Sequence, residues 1–146
     1  VDFVDSAYYG GGLAAARQGK ADAARQRLRV VVDKYPKSVD RPQAMLVLGQ
    51  LDLEAKKYKE ARAQLEAVIR EPSAPPETKT SAETSLITVL LELEEYAAAT
   101  TRLEAVLSRL PAAGPQRARA QLSLGPCRYR QKLYEPALNA YHSLWS

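Results

Sequence analysis

Apolar residues recur along this chain at intervals of four and then three, and the pattern repeats. Ala24, Leu28 and Val31 return as Ala61, Leu65 and Val68, then as Ala99, Leu103 and Val106, and finally as Ala137, Tyr141 and Leu144. The alanines lie 37, 38 and 38 residues apart. An i, i+4, i+7 stripe falls on one face of an α-helix, so each set predicts a helix with one buried side. Twelve residues before each alanine stands Gly12, Gly49, Ile87 or Gly125, preceded by Gly11, Leu48, Leu86 or Leu124. A small residue there, opposite the alanine, lets two helices cross closely.

The pattern predicts four helical hairpins. Their first helices (A) lie near 3–18, 41–55, 78–94 and 115–131, and their second helices (B) near 21–34, 58–70, 96–109 and 134–145. Pro36 and Pro111 follow B helices and stop them, because proline cannot donate the next backbone bond. Pro42, Pro76 and Pro115 sit at or just before helix starts, where a missing N–H costs little. No long period-two alternation occurs, so the chain reads as all-α. Each hairpin leaves one apolar face uncovered, and the next hairpin must stack on it. The expected organisation is one domain over 1–146, with repeats near 5–38, 42–75, 80–113 and 118–146. The start at Val1 and the stop within a helical pattern at Trp145-Ser146 read as a piece of a longer protein.

Two places break the helical rules. Pro126 falls inside the fourth A helix, where it removes the bond to the Leu122 carbonyl and is expected to kink the helix or force a bulge. Gly10-Gly11-Gly12 lowers helix propensity in the first A helix and is expected to serve close packing. It is not a phosphate loop, since it lacks the Lys-Ser/Thr ending and has no preceding strand.

This repeat resembles the tetratricopeptide repeat. Tyr8, Gly12, Ala24, Leu28 and Pro36 follow the family's large–small–small–large–proline order in the first unit. Leu48, Gly49, Tyr58, Ala61 and Leu65 follow it in the second, and Tyr96, Ala99, Leu103 and Pro111 in the third, where Ile87 replaces the usual glycine. The fourth keeps Gly125, Tyr134, Ala137 and Tyr141. The resemblance implies an α-α superhelix, a solenoid of about four helix-turn-helix repeats. Its A helices would line a concave groove that holds a protein or peptide segment. Carried over position by position, the groove candidates are Tyr9, Leu13 and Arg17 on the first A helix, and Leu46, Gln50, Leu53 and Glu54 on the second. The third gives Thr84, Thr88, Leu91 and Glu92, and the fourth Arg119, Leu122, Tyr129 and Arg130. For Leu46, Leu53 and Leu122, packing between hairpins is an equal alternative. Tyr9 and Leu13 stand where some members hold a partner's terminal carboxylates with lysine and asparagine, so no such clamp is expected.

The loop Tyr35-Pro36-Lys37-Ser38, followed by Asp40, Arg41 and Pro42, is similar to that of bacterial cell-envelope members: the periplasmic partner of the Tol-Pal system and the outer-membrane assembly lipoproteins. That resemblance implies a scaffold or adaptor in an envelope or secretion assembly, periplasmic or envelope-associated, with the cytoplasm as the alternative. Two other readings stay open. Tyr141, Leu144 and Trp145 on the last helix would suit self-association, and the chain would also suit a docking or regulatory domain of a larger enzyme.

Composition narrows these readings. The net charge is +4, with 8 basic and 5 acidic residues over 1–41, 5 and 6 over 42–78, 3 and 5 over 79–115, and 5 and 1 over 116–146. Basic ends around a mildly acidic middle do not make one cationic face, and aromatic interleaving is thin, so nucleic acid is not the expected partner. Arg25, Arg27 and Arg29 are expected on a solvated outer face, while Arg117, Arg119, Arg128, Arg130 and Lys132 form a second basic group suited to an acidic partner. No run of about 18 apolar residues would span a membrane, and no basic segment leads into an apolar core as in a signal peptide. Cys127 and His142 are the single cysteine and histidine, too few donors for a disulfide, a metal site or a triad. No cofactor, metal or catalytic residue is therefore expected.

Overall fold

A computed structural model describes residues 3–130 and 134–145, with the side chains of 134–139 left aside. Eight α-helices follow one another among the described residues: α1 (Val4–Arg17), α2 (Ala21–Lys34), α3 (Arg41–Glu54), α4 (Tyr58–Arg70), α5 (Pro76–Glu92), α6 (Tyr96–Arg109), α7 (Pro115–Arg130) and α8 (Tyr134–Trp145). The even-numbered helices span the residues predicted for the B helices. None of the described helices is long and apolar enough to cross a membrane. The chain divides into two compact units, residues 1–89 and 90–146.

In the first unit α1 packs on α2, α2 on α3 and α3 on α4. The crossings are the ones the spacing calls for. Ala24, Leu28, Val31, Ala61, Leu65 and Val68 are all wholly buried. A β-carbon on Gly12 would meet Leu28 Cγ at 2.7 Å, and one on Gly49 would meet Leu65 Cδ2 at 2.8 Å. The glycine-to-leucine contact thus recurs once per hairpin. In the second unit α6 packs on α7 and α7 on α8. There Gly125 meets Tyr141 in the same way, with the ring Cζ at 2.8 Å. Ala99 and Leu103 are buried, but Val106 is only half-buried. The side chain of Ala137 lies outside the described residues.

The backbone of the A–B turn also repeats. Gly19, Lys56 and Glu94 take φ of 75°, 60° and 59°. The following N–H groups reach back five residues, Lys20 to Ala15 O at 2.9 Å, Lys57 to Asp52 O at 2.8 Å and Glu95 to Leu90 O at 2.9 Å. The left-handed residues themselves donate three residues back, to Ala16, Leu53 and Leu91. This is a Schellman turn, which satisfies the last carbonyls of the A helix. Of these three turns, only the first places glycine at the left-handed position. Lys56→Gly is therefore expected to stabilise the protein by up to about 1 kcal/mol, because a β-carbon is strained at that φ. Thermal melting followed by circular dichroism checks it, and an unchanged or lowered midpoint contradicts it.

Both rule-breaking sites lie within continuous α-helix. Helix α7 stays α-helical through Pro126, whose ring lies on its exposed side, so no bulge interrupts it. Of the three glycines, Gly12 makes the tight crossing and Gly11 meets the Arg27 side chain at 3.3 Å, while a β-carbon on Gly10 would meet nothing within 4 Å. Close packing accounts for two of the three.

Candidate functional site

The residues proposed for a groove fall on exposed or half-exposed faces of the A helices, with one exception. In the first unit Tyr9, Leu13, Gln50 and Leu53 are half-buried, and Arg17, Glu54, Thr84 and Thr88 are exposed. Leu46 follows the alternative reading: at 3% exposure it packs in the core and is not a surface residue. In the second unit Leu91 is half-buried and Glu92 exposed, while Arg119, Leu122, Tyr129 and Arg130 are all exposed. Leu122 and Tyr129 keep 52% and 58% of their surface.

Neighbouring groups tune these faces. Tyr9 packs against the core of the first hairpins. Burial raises its phenol pKa, the nearby Asp40 carboxylate adds to the rise, and Arg17 opposes it. Asp40 in turn accepts from the Ser6 hydroxyl at 3.0 Å, which ties the start of α1 to the loop before α3. On α5 the hydroxyls of Thr80, Thr84 and Thr88 each donate to the carbonyl four residues back, at 2.9, 3.1 and 3.3 Å. Their O–H donors are therefore spent on the helix itself.

The arginines sort into structural and outward-facing groups. The expected solvated run on α2 is corrected at Arg25. Its guanidinium donates to Asp52 at 3.3 Å and to the Leu51 carbonyl at 3.2 Å, fastening α2 to α3. Arg27 donates to the Gly11 carbonyl at 3.1 Å, and only Arg29 of the three lies fully outward without such a bond to another helix. Arg41 bridges the Val32 carbonyl and Glu71, at 3.1 and 2.9 Å. The Glu71 carboxyl is held below its usual pKa chiefly by the Ser73 hydroxyl, with Arg41 adding to it. In the second unit Arg117 donates to the Leu107 carbonyl at 2.9 Å at the end of α6, a cationic cap on a helix C-terminus. Arg128 pairs with Glu104. Arg130 donates to the Tyr96 hydroxyl at 2.9 Å and sits 5.4 Å from its ring centroid. Lys132 lies outside the described residues.

No metal-binding group of three His, Cys, Asp or Glu occurs among the described residues. Cys127 is buried, and burial raises its thiol pKa, with Arg130 acting weakly in the opposite sense. The Ser143 hydroxyl donates to the Ala140 carbonyl at 2.9 Å and accepts from Gln121 at 3.0 Å. Two shallow hollows lie elsewhere in the first unit. One is lined by Asp5 and the 34–38 segment, the other by Val4, Ala7, Tyr8, Gly11 and Arg27. Neither includes a residue inferred for the groove.

Recurrent hairpins, the first three joined by the same turn and the first, second and fourth crossing at a glycine, define the class as an α-helical repeat protein of the kind used for protein interaction. Residues 5–122 match the tetratricopeptide repeat-like domain, and the chain belongs to that family. Among solved structures it is similar to MamA from Desulfovibrio magneticus RS-1, at 22% identity and a TM-score of 0.80, covering 98% of this chain and 75% of that one. A tetratricopeptide repeat protein from Parabacteroides merdae gives 14% identity and a TM-score of 0.82 over 98% of this chain, which spans only 53% of that one. PilF from Pseudomonas aeruginosa gives 20% identity and a TM-score of 0.54, covering 97% and 75% of the two chains. No curated protein matches in sequence.

Proposed function

We propose that this chain is a non-catalytic scaffold that holds a protein segment against the outward faces of its A helices, within a bacterial envelope or secretion assembly. The observation that carries the reading is the pair Leu122 and Tyr129, large apolar side chains left more than half exposed while their helix neighbours Leu124 and Cys127 fill the core. In the other unit Tyr9, Leu13 and Leu53 are half-buried apolar side chains on α1 and α3, beside the half-buried Gln50. Such surfaces gain free energy when covered. The envelope setting is supported by the 35–38 loop, and fractionation of cells carrying the full-length protein tests it. Partner capture tests the scaffold itself. Leu53→Glu and Tyr129→Ala are each expected to reduce capture about tenfold, since truncating an interface anchor costs more than about 1 kcal/mol. Unchanged capture by both variants removes these faces from consideration.

A second reading, a self-associating module, is favoured by Trp145, which ends α8 with 86% of its surface exposed. Light scattering decides it: a monomer at all concentrations rejects self-assembly.

A further inference from the structure

We propose that the outer face of α7 is a docking strip for an extended protein segment bearing apolar side chains flanked by acidic residues. This rests on the scaffold reading above and names the chemistry of a partner. Tyr129, Leu122, Pro126, Arg119 and Arg130 fall within an arc of about 100° around the helix axis, at about 100° per residue. All five are exposed. The apolar members occupy one side of the arc and the two arginines the other.

Three further features point to the class of occupant. First, the surrounding basic residues are already used: Arg117 caps α6 and Arg128 pairs with Glu104. Arg119 and Arg130 are thus the outward charge of the strip. Tyr96 fixes Arg130 in place through one N–H, and a guanidinium carries five. A held, planar cation suits a carboxylate better than a freely moving one does. Second, residues 116–146 hold five basic residues against one acidic, so an acidic segment meets little repulsion. Third, Pro126 has no N–H to give the Leu122 carbonyl, which leaves that carbonyl without its usual donor on an exposed face. An extended segment has backbone N–H groups to offer it, whereas a helical segment has already spent its own. A phosphate backbone would favour more cations and fewer aliphatic contacts than this strip provides.

The test is fluorescence anisotropy on the whole chain. The probe is a labelled peptide with leucine and phenylalanine between glutamates, compared with versions carrying glutamine or lysine in place of the glutamates, and with a single-stranded oligothymidylate. The glutamate peptide is expected to bind roughly tenfold more tightly than the glutamine one at low salt, with the advantage fading as salt is added. Arg119→Glu/Arg130→Glu should abolish that advantage, and Arg119→Lys/Arg130→Lys should retain most of it. Arg119→Glu alone should lose part, which guards against any effect of Arg130 on Tyr96. Equal binding of the glutamate and glutamine peptides overturns the proposal while leaving the scaffold reading intact, as does a glutamate advantage that survives the double charge reversal. Preference for the lysine peptide, tighter binding of the oligonucleotide, or binding of no probe also overturns it. The scaffold reading falls separately, through unchanged partner capture by Leu53→Glu and Tyr129→Ala.

Discussion

Arg25→Met is expected to destabilise the protein by about 3 kcal/mol, a large effect for a residue that the sequence places on a charged helix face. Asp52 is only 4% exposed, and the Arg25 guanidinium is its ion-pair partner across the α2–α3 junction. Methionine preserves the packing of the aliphatic stem but leaves the carboxylate buried without a cation. Replacing both members with apolar residues removes that penalty. Arg25→Met/Asp52→Leu should therefore recover most of the lost stability, because an apolar pair avoids the desolvation of two charges. Urea unfolding of the wild type, both single variants and the double variant measures the coupling. A cost below about 1 kcal/mol for Arg25→Met, or a double variant less stable than either single one, shows that the pair is not what fastens α2 to α3.

The second large effect is a change of sign. Leu65→Ala is expected to cost about 3 kcal/mol, as a wholly buried leucine leaves a cavity when truncated. Gly49→Ala should cost about 1 kcal/mol in the wild type, since its new methyl would lie 2.8 Å from Leu65 Cγ, near the root of that side chain. In the Leu65→Ala background the same methyl enters the vacated space and gains helix propensity, so Gly49→Ala should stabilise by about 1 kcal/mol. If Gly49→Ala has the same sign in both backgrounds, the glycine–leucine crossing is not the contact that sets hairpin spacing. Gly125→Ala offers a contrast, because the atoms it meets are the far end of the exposed Tyr141 ring, which can swing aside.

The hairpin plan was legible because helix periodicity and small-residue spacing are local properties of the chain. The i, i+4, i+7 stripes and their glycine partners needed no tertiary information, and neither did the helix ends marked by proline. The left-handed turns at Lys56 and Glu94 were hidden, since neither residue carries the glycine signal that marks Gly19. Candidate surface residues were partly legible. Helical register places Leu46 between Leu53 and Gln50, yet Leu46 is buried and both of those are half-buried, so its burial follows from its position along the helix and not from register.

By itself, then, the sequence determined the number and length of the described helices, the pairing within the first, second and fourth hairpins, and the glycines at their tight crossings. Tertiary structure decided which polar groups are committed. It turned Arg25 into a half-buried fastener on the buried Asp52 and Arg117 into a cap on α6. It also left Leu122, Tyr129, Arg119 and Arg130 facing outward on α7. Periodicity gives the side of a helix a residue occupies, whereas its burial and its hydrogen-bond partners depend on which remote segment arrives there.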